Sequence, residues 1–229
     1  MKNIPALLVL ALCALTLPLH AEAPAPQPTI KPLTAEKTDS DEDAQKKAAA
    51  LSAEDRETIS RIETYFNTIH TLRAEFMQTL SDGNTSTGTL SIRRPGKMRL
   101  EYTPPNHDLL VADGLFVHAW DSQAKTSSSV PLGRSMADII LRDPLKLSGD
   151  VDVKEIRYFP EMIEVDIVQS DDPASGILTL EFQDKPLQLK NWRVKDGQGT
   201  QTRVALYNEQ VNQDIPSSTF VYRDPNFGH

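Results

Sequence analysis

The stretch "LSIRRPGKMRLEYTPP", from Leu90 to Pro105, decides how this chain folds. Leu90, Ile92 and Arg94 alternate in one run, Met98, Leu100 and Tyr102 alternate in the next, and Pro95-Gly96 separates the two runs. Alternation at period two predicts two strands with apolar side chains on one face, joined by a tight turn. Arg94 then falls in phase with the apolar side chains, while Ser91 and Arg93 fall on the other face. A guanidinium aimed at an apolar face needs acceptors there, and the local sequence does not say where they come from.

The same alternation runs outward from this hairpin. Turn signals at Asp82-Gly83, Pro104-Pro105, Asp113-Gly114, Asp172-Pro173, Lys185-Pro186 and Asp196-Gly197 separate short alternating runs. Strands are expected near 73–81, 86–93, 97–103, 107–113, 115–121, 124–130, 151–158, 162–170, 176–183, 187–196 and 200–211. Two helical patterns flank and interrupt this meander. "SAED" at 52–55 is a capping box of the S-x-x-D type, and Ile59, Ile62, Tyr65, Phe66, Ile69 and Leu72 follow at helical spacing, which predicts a helix from Ser52 to Leu72. "GRSMADIILRDP" (133–144) carries a second box at Ser135 and Asp138, places Met136, Ile139 and Ile140 on one side, and ends at Pro144.

About eleven strands in one open flat sheet would curl, split or close. Only two helices are available to cover them. The fold class is therefore mainly β with α: an incomplete, half-open antiparallel β-barrel with a helical lid. Its concave face would be lined by Phe76, Leu90, Ile92, Met98, Leu100 and Tyr102, and a barrel this wide has room for a ligand cavity.

The ends of the chain read differently. Met1-Lys2, an apolar run from Ile4 to Leu19 and Ala21-Glu22-Ala23 fit a secretory signal peptide spanning residues 1–23. Pro5 and Pro18 interrupt that run, which falls short of the roughly 20 apolar residues of a membrane span. The single cysteine, Cys13, lies inside it, with Leu12 before it and apolar residues after it, which does not suit lipidation. An exported chain without a mature cysteine must be stable through its core alone. Residues 24–50 are rich in proline and charge and lack aromatic residues, the composition of a disordered lead. The globular domain is expected over 51–229, about 180 residues and thus one domain. A net charge of −8 argues against nucleic acid as a partner.

Catalytic and metal-binding patterns are missing from the sequence. His70, His107, His118 and His229 stand apart from one another at no ligand spacing, and "DGNTSTG" (82–88) has Thr87 where a calcium loop needs glycine. No G-x-S-x-G elbow or phosphate-binding glycine loop occurs. Ser135 reads as a helix N-cap, and Gly96-Lys97 lies in a turn. No catalytic residue, metal or cofactor is expected.

The ordered set of motifs resembles a known family. A helix is followed by F-x-Q-T (Phe76 to Thr79), then G-x-L-x-I-x-R-P (Gly88 to Pro95), an aromatic at Tyr102, L-V-x-D-G (Leu110 to Gly114), Trp120-Asp121, and Pro131-Leu132 before a short helix. This is similar to the periplasmic outer-membrane lipoprotein carrier proteins, the LolA family. The resemblance implies an incomplete eleven-stranded barrel whose helices form a lid over an acyl-chain cavity. It implies a non-enzymatic, monomeric periplasmic carrier for acylated lipoproteins, loaded by an inner-membrane ABC transporter and unloading at the outer membrane, with a separate outer-membrane acceptor left open. It also implies that Arg94 points inward and hydrogen-bonds to the lid when the site is empty. The acyl-contacting set would be Phe76, Leu90, Ile92, Met98, Leu100 and Tyr102 from strands, with Met136, Ile139 and Ile140 from the lid. Leu100 stands where many members have tryptophan, and the lead is longer than usual. A different reading keeps the shape and changes the role: a lipid- or lipoprotein-binding acceptor or sensor module. Acceptors of this shape are usually anchored through a lipidated N-terminal cysteine, which this chain lacks. Intact mass of the exported protein should correspond to a chain beginning at Pro24 without a lipid; an acylated terminus at Cys13 would overturn that reading of the leader.

Overall fold

The computed structural model describes residues 51–225. The expected leader (1–23) and lead (24–50) lie outside the described residues, as does His229. Eleven strands form one antiparallel sheet: β1 (Thr71–Leu80), β2 (Thr85–Arg93), β3 (Lys97–Tyr102), β4 (Leu109–Asp113), β5 (Phe116–Asp121), β6 (Thr126–Pro131), β7 (Val151–Tyr158), β8 (Met162–Gln169), β9 (Gly176–Gln183), β10 (Gln188–Asp196) and β11 (Gln201–Val211). Their spatial order is β6-β5-β4-β3-β2-β1-β11-β10-β9-β8-β7. Two meanders are thus stitched together by the β1–β11 pair, and β6 and β7 are edges, so the sheet does not close. Register shifts at Arg73/Glu75, Leu189/Asn191 and Val153/Glu155 supply the local bends that a strongly curved sheet needs.

The two faces differ sharply. One face carries a continuous apolar cluster that includes Leu90, Met98, Leu100, Leu180, Trp192 and Val204, together with residues of both helices. On the other face, β7 to β11 carry an ionic lattice. Arg157 meets Glu164 at 2.8 Å and Asp166 at 2.7 Å, and Arg193 and Arg203 both reach the buried Glu181, at 3.1 and 2.7 Å. These pairs span five neighbouring strands, so they fix the register of the polar face as the apolar rows fix the concave one.

Helix α1 (Ala53–Asn67) starts as the sequence predicts: Ser52 Oγ accepts from the Asp55 N–H at 3.0 Å, and the Asp55 carboxylate accepts from the Ser52 N–H at 2.8 Å. It ends five residues earlier than expected. Thr68 caps it, and Leu72 belongs to β1. Ile69 and Leu72 continue the helical spacing by coincidence, because both turn inward as buried residues of the helix–strand junction. The second helix, α2, is also shorter than expected, Ala137–Leu141, and a 3-10 turn at Leu132–Arg134 precedes it. Ser135 is not its N-cap. The Ser135 hydroxyl donates back to the Leu132 carbonyl at 2.9 Å, and Met136 occupies the cap position without a side-chain bond. Ala137, Ile139, Ile140 and Leu141 are all buried, and only Asp138 faces outward, where it pairs with Arg142 at 2.6 Å, so α2 is inserted into the core on nearly every side. A further 3-10 turn, Ser217–Phe220, lies in a C-terminal segment that the strand pattern did not anticipate.

Gly88 shows how tightly the concave face is built. It pairs with Tyr102 and Phe76 on its two neighbours, and those rings meet edge to face at 5.1 Å across it. A β-carbon there would collide with the Glu101 carbonyl and come within 2.7 Å of the Phe76 ring. Gly88→Ala should therefore destabilise the fold by about 1–3 kcal/mol, read as a lower urea midpoint at unchanged m-value. A midpoint equal to wild type would show that the ring and strand move aside freely.

Candidate functional site

The site lies at one end of the barrel, where the β2–β3 turn, the start of β1 and the end of β11 come together. Helix α1 crosses this end. Its N-terminal turn meets β7, where the Tyr158 hydroxyl donates to Asp55 at 3.0 Å. Its middle meets the β9–β10 turn through Arg61 and Asp184 at 2.7 Å, and the Leu189 N–H donates to the Tyr65 hydroxyl at 3.1 Å. Phe66 adds an edge-to-face contact with Phe182, centroids 6.1 Å apart.

Arg94 closes the arrangement. It is buried, 6% exposed, in phase with Leu90 and Ile92 as the alternation predicts. The acceptors missing from the sequence come from the C-terminal ends of both helices. Nη1 donates to the carbonyls of Phe66 and Ile69, the latter at 3.1 Å. Nε and Nη2 donate to the Arg142 carbonyl, Nε at 2.9 Å, and Nη2 also reaches Asn67 Oδ1 at 3.4 Å. The last carbonyls of a helix have no intrahelical donor and carry partial negative charge. One guanidinium, with five fixed donors, thus satisfies the ends of α1 and α2 together. The backbone of the same turn contributes as well: Arg94 N–H donates to the His70 carbonyl and Gly96 N–H to the Leu141 carbonyl, each at 2.8 Å. Burial pulls the Arg94 pKa below its ordinary value, and the nearby Asp143 carboxylate opposes that shift.

Residues that sequence reasoning missed tie the helices to each other. Asn67 donates to the Leu145 carbonyl at 3.1 Å and accepts from the Leu145 N–H at 2.8 Å. Glu63 accepts from the Leu147 N–H at 2.7 Å. The chain following α2 is therefore laced to the side of α1, and the two helices with residues 142–147 form one lid unit. Asn212, just past β11, brackets the junction under the lid by accepting from His70 N–H at 2.9 Å and donating to the Thr68 carbonyl at 2.9 Å. An asparagine at the last helical position, such as Asn67, was a readable end signal; Glu63 and Asn212 left none.

The other expected site residues are brought together. Phe76, Leu90, Ile92, Met98, Leu100, Tyr102, Met136, Ile139 and Ile140 all belong to one buried cluster, so strand and lid side chains pack directly on one another. All nine are buried on or against the concave face. An open groove of about 490 Å³ lies on the outer flank of α1, between Glu57, Arg61, Tyr65 and Leu187.

Arg93 faces outward, as expected, and is far from idle. Its Nη1 donates to the Ser217 hydroxyl at 2.8 Å, and its guanidinium sits 5.7 Å from the Phe220 ring centre. Phe220 is buried against the outer face of β3 and β4. Farther along, the Tyr222 ring stacks on His118 at 4.6 Å, and His118 bridges Asp113 at 3.1 Å and Ser129 at 2.8 Å. This serine–histidine–aspartate contact joins the β4–β5 turn, β6 and the C-terminal segment on the face opposite the lid. Among the described residues no group of His, Cys, Asp and Glu is placed to hold a metal, and no helix is long and apolar enough to cross a membrane.

The sequence model of the family described as outer membrane lipoprotein carrier protein LolA matches residues 67–223. The chain belongs to the LolA family. An outer-membrane lipoprotein carrier protein of Pseudomonas aeruginosa is 26% identical over 190 residues, covering 78% of this chain and 89% of the relative. The Chromohalobacter salexigens protein of the same name is 26% identical over 177 residues, covering 72% and 82%. A crystal structure of a LolA superfamily protein from Nitrosomonas europaea aligns over 76% of this chain and 99% of its own, with a TM-score of 0.44 and 8% identity.

In this LolA-family chain, adjacent arginines serve opposite faces. Arg93→Leu should free residues 212–225 for limited proteolysis while leaving the cleavage of the lid unchanged. Wild-type resistance of the C-terminal segment in that variant would show that Phe220 holds it without the guanidinium.

Proposed function

We propose that this protein is a non-enzymatic periplasmic carrier that takes up the acyl chains of lipoproteins released from the inner membrane and delivers them to the outer membrane. One observation carries the reading: a single buried guanidinium holds the C-terminal ends of both lid helices over a contiguous apolar face. Family membership and the names of the carrier relatives support it. An apolar face that packs on its own lid has no need of a buried cation for cohesion. A cation whose bonds run only to the lid makes sense where the lid must close again after opening.

Space for acyl chains then arises when α1 and α2 move off the concave face and break the bonds to Phe66, Ile69 and Arg142. Phe76, Leu90, Ile92, Met98, Leu100 and Tyr102 would meet the chains from below, with Met136, Ile139 and Ile140 from above. Burial of each methylene contributes roughly 0.8 kcal/mol, so several fully buried chains would not leave unaided. Re-formation of the Arg94 bonds supplies the competing free energy, and a donor of the ABC transporter class would supply the work of loading. The carrier acts as a monomer in this scheme.

Arg94→Leu tests it. Each lost charge-assisted hydrogen bond favours the open lid by about 1.5–3 kcal/mol, and leucine adds apolar surface to the site. The variant should fold, release lipoproteins from spheroplasts as wild type does, and transfer them to outer-membrane vesicles at least tenfold more slowly. Equal transfer by variant and wild type would sink the latch.

A further inference from the structure

The concave face is interrupted by four polar side chains on the side of the barrel away from Arg94. Gln78, Tyr102, Trp192 and Thr202 are 4, 6, 1 and 1% exposed. Gln78 stands opposite Val204 in the β1–β11 ladder, and Val204 stands opposite Trp192 in the β11–β10 ladder. Thr202, two residues along β11, faces Leu80 and Val194. With strands about 4.8 Å apart, the backbones of Gln78 and Trp192 are roughly 10 Å apart. Trp192 belongs to the same apolar cluster as Leu180, Val194 and Val204, which places its ring on the concave face. Tyr102 and Gln78 satisfy each other, since the phenol donates to Gln78 Oε1 at 2.7 Å. Trp192 Nε1 and Thr202 Oγ1 are buried without any hydrogen-bond partner.

A face that met only alkyl chains would have no use for two unpartnered polar groups. An indole N–H donates only, whereas a threonine hydroxyl both donates and accepts. A ligand hydroxyl could accept from the first and donate to the second, leaving no polar group unpaired. Depth limits where on the ligand it sits. Gln78 is six residues along β1 from Leu72 at the lid end, about 20 Å of extended strand. A chain entering beneath the lid brings the atoms far from its head group to this level.

The geometry points to a polar recognition point at the floor of the acyl site, formed by Trp192 and Thr202 beside the Gln78–Tyr102 pair, that takes a hydroxyl carried on the distal part of a lipid chain. This rests on the carrier reading and narrows its ligand class to include oxygenated chains. An apolar pocket disfavours a hydroxyl by up to about a hundredfold, because that group loses its water without a replacement. A floor with matched partners removes that discrimination.

The test uses the mature protein and displacement of a fluorescent dansylated fatty acid by methyl hexadecanoate and by methyl 16-hydroxyhexadecanoate. Wild type should bind the two esters within about threefold of each other, and Trp192→Phe combined with Thr202→Val should weaken the hydroxylated ester roughly tenfold or more while sparing the plain one. Rejection of the hydroxylated ester by wild type, or an unchanged ratio in the double variant, overturns the inference. Should the double variant fail to fold, Trp120→Phe leaves Trp192 as the sole indole of a two-tryptophan chain. Its emission should then move to longer wavelength with the hydroxylated ester only, and identical spectra with both esters overturn the inference. If neither ester displaces the probe, the carrier reading itself fails, which is a separate signature from plain-chain binding without hydroxyl tolerance.

Discussion

A cation taken out of water must find acceptors, and a helix C-terminus taken out of water must find donors. Arg94 meets both requirements with one side chain. Its five donors reach Phe66, Asn67 and Ile69 at the end of α1 and Arg142 at the end of α2. Neither helix end could be buried over the concave face without that charge, and the charge could not be buried without both helix ends. The lid therefore closes as a unit. A lysine would place one point charge where two helix ends need a planar fork.

In the carrier proposed above, the same constraint would make the lid labile. Around Arg94 the concave face gains apolar contacts with Met136, Ile139 and Ile140, and those contacts are replaceable by any other hydrocarbon. The hydrogen bonds to carbonyls are not replaceable by an alkyl chain. In the proposed carrier, entry of hydrocarbon under the lid would replace these apolar contacts with others, while the polar bonds to Phe66, Ile69 and Arg142 would be lost outright. In that scheme the polar bonds are what favours closure.

Much of this was legible in the sequence because strand alternation is a strong signal and because Arg94 violates it. The eleven strands fall within a few residues of their expected places, since most are bounded by a Gly or Pro turn. Arg94 stood out by parity with Leu90 and Ile92, and Gln78 could have been found by the same parity with Phe76. Helix limits were less legible. Ile69 and Leu72 keep helical spacing while serving a buried junction, and Ser135-x-x-Asp138 imitates a capping box although its hydroxyl bonds backwards to Leu132. The lacing of Asn67 and Glu63 to residues 145–147 pairs positions about eighty apart, which no local pattern can reveal. The acceptors of Arg94 were illegible for the same reason.

The open seam of the barrel completes the logic. The chain leaves the sheet at β6, forms α2, and re-enters at β7, the opposite edge. Had β6 and β7 paired, α2 would have been a loop on the outside of a closed barrel with no access to the concave face. Because they do not pair, α2 reaches the core without breaking any strand ladder, and it can leave without breaking one. The two edges are guarded against other strands by composition: β6 is a short run of Thr126, Ser127, Ser128 and Ser129, and β7 carries Lys154, Glu155 and Arg157. What anchors α2 is the apolar cluster, the lacing to α1, the bonds from Arg94 and Gly96, and the Arg142–Asp150 pair at 2.7 Å. A turn of three residues, Arg94-Pro95-Gly96, thus holds by its backbone and one side chain the C-terminal ends of both helices.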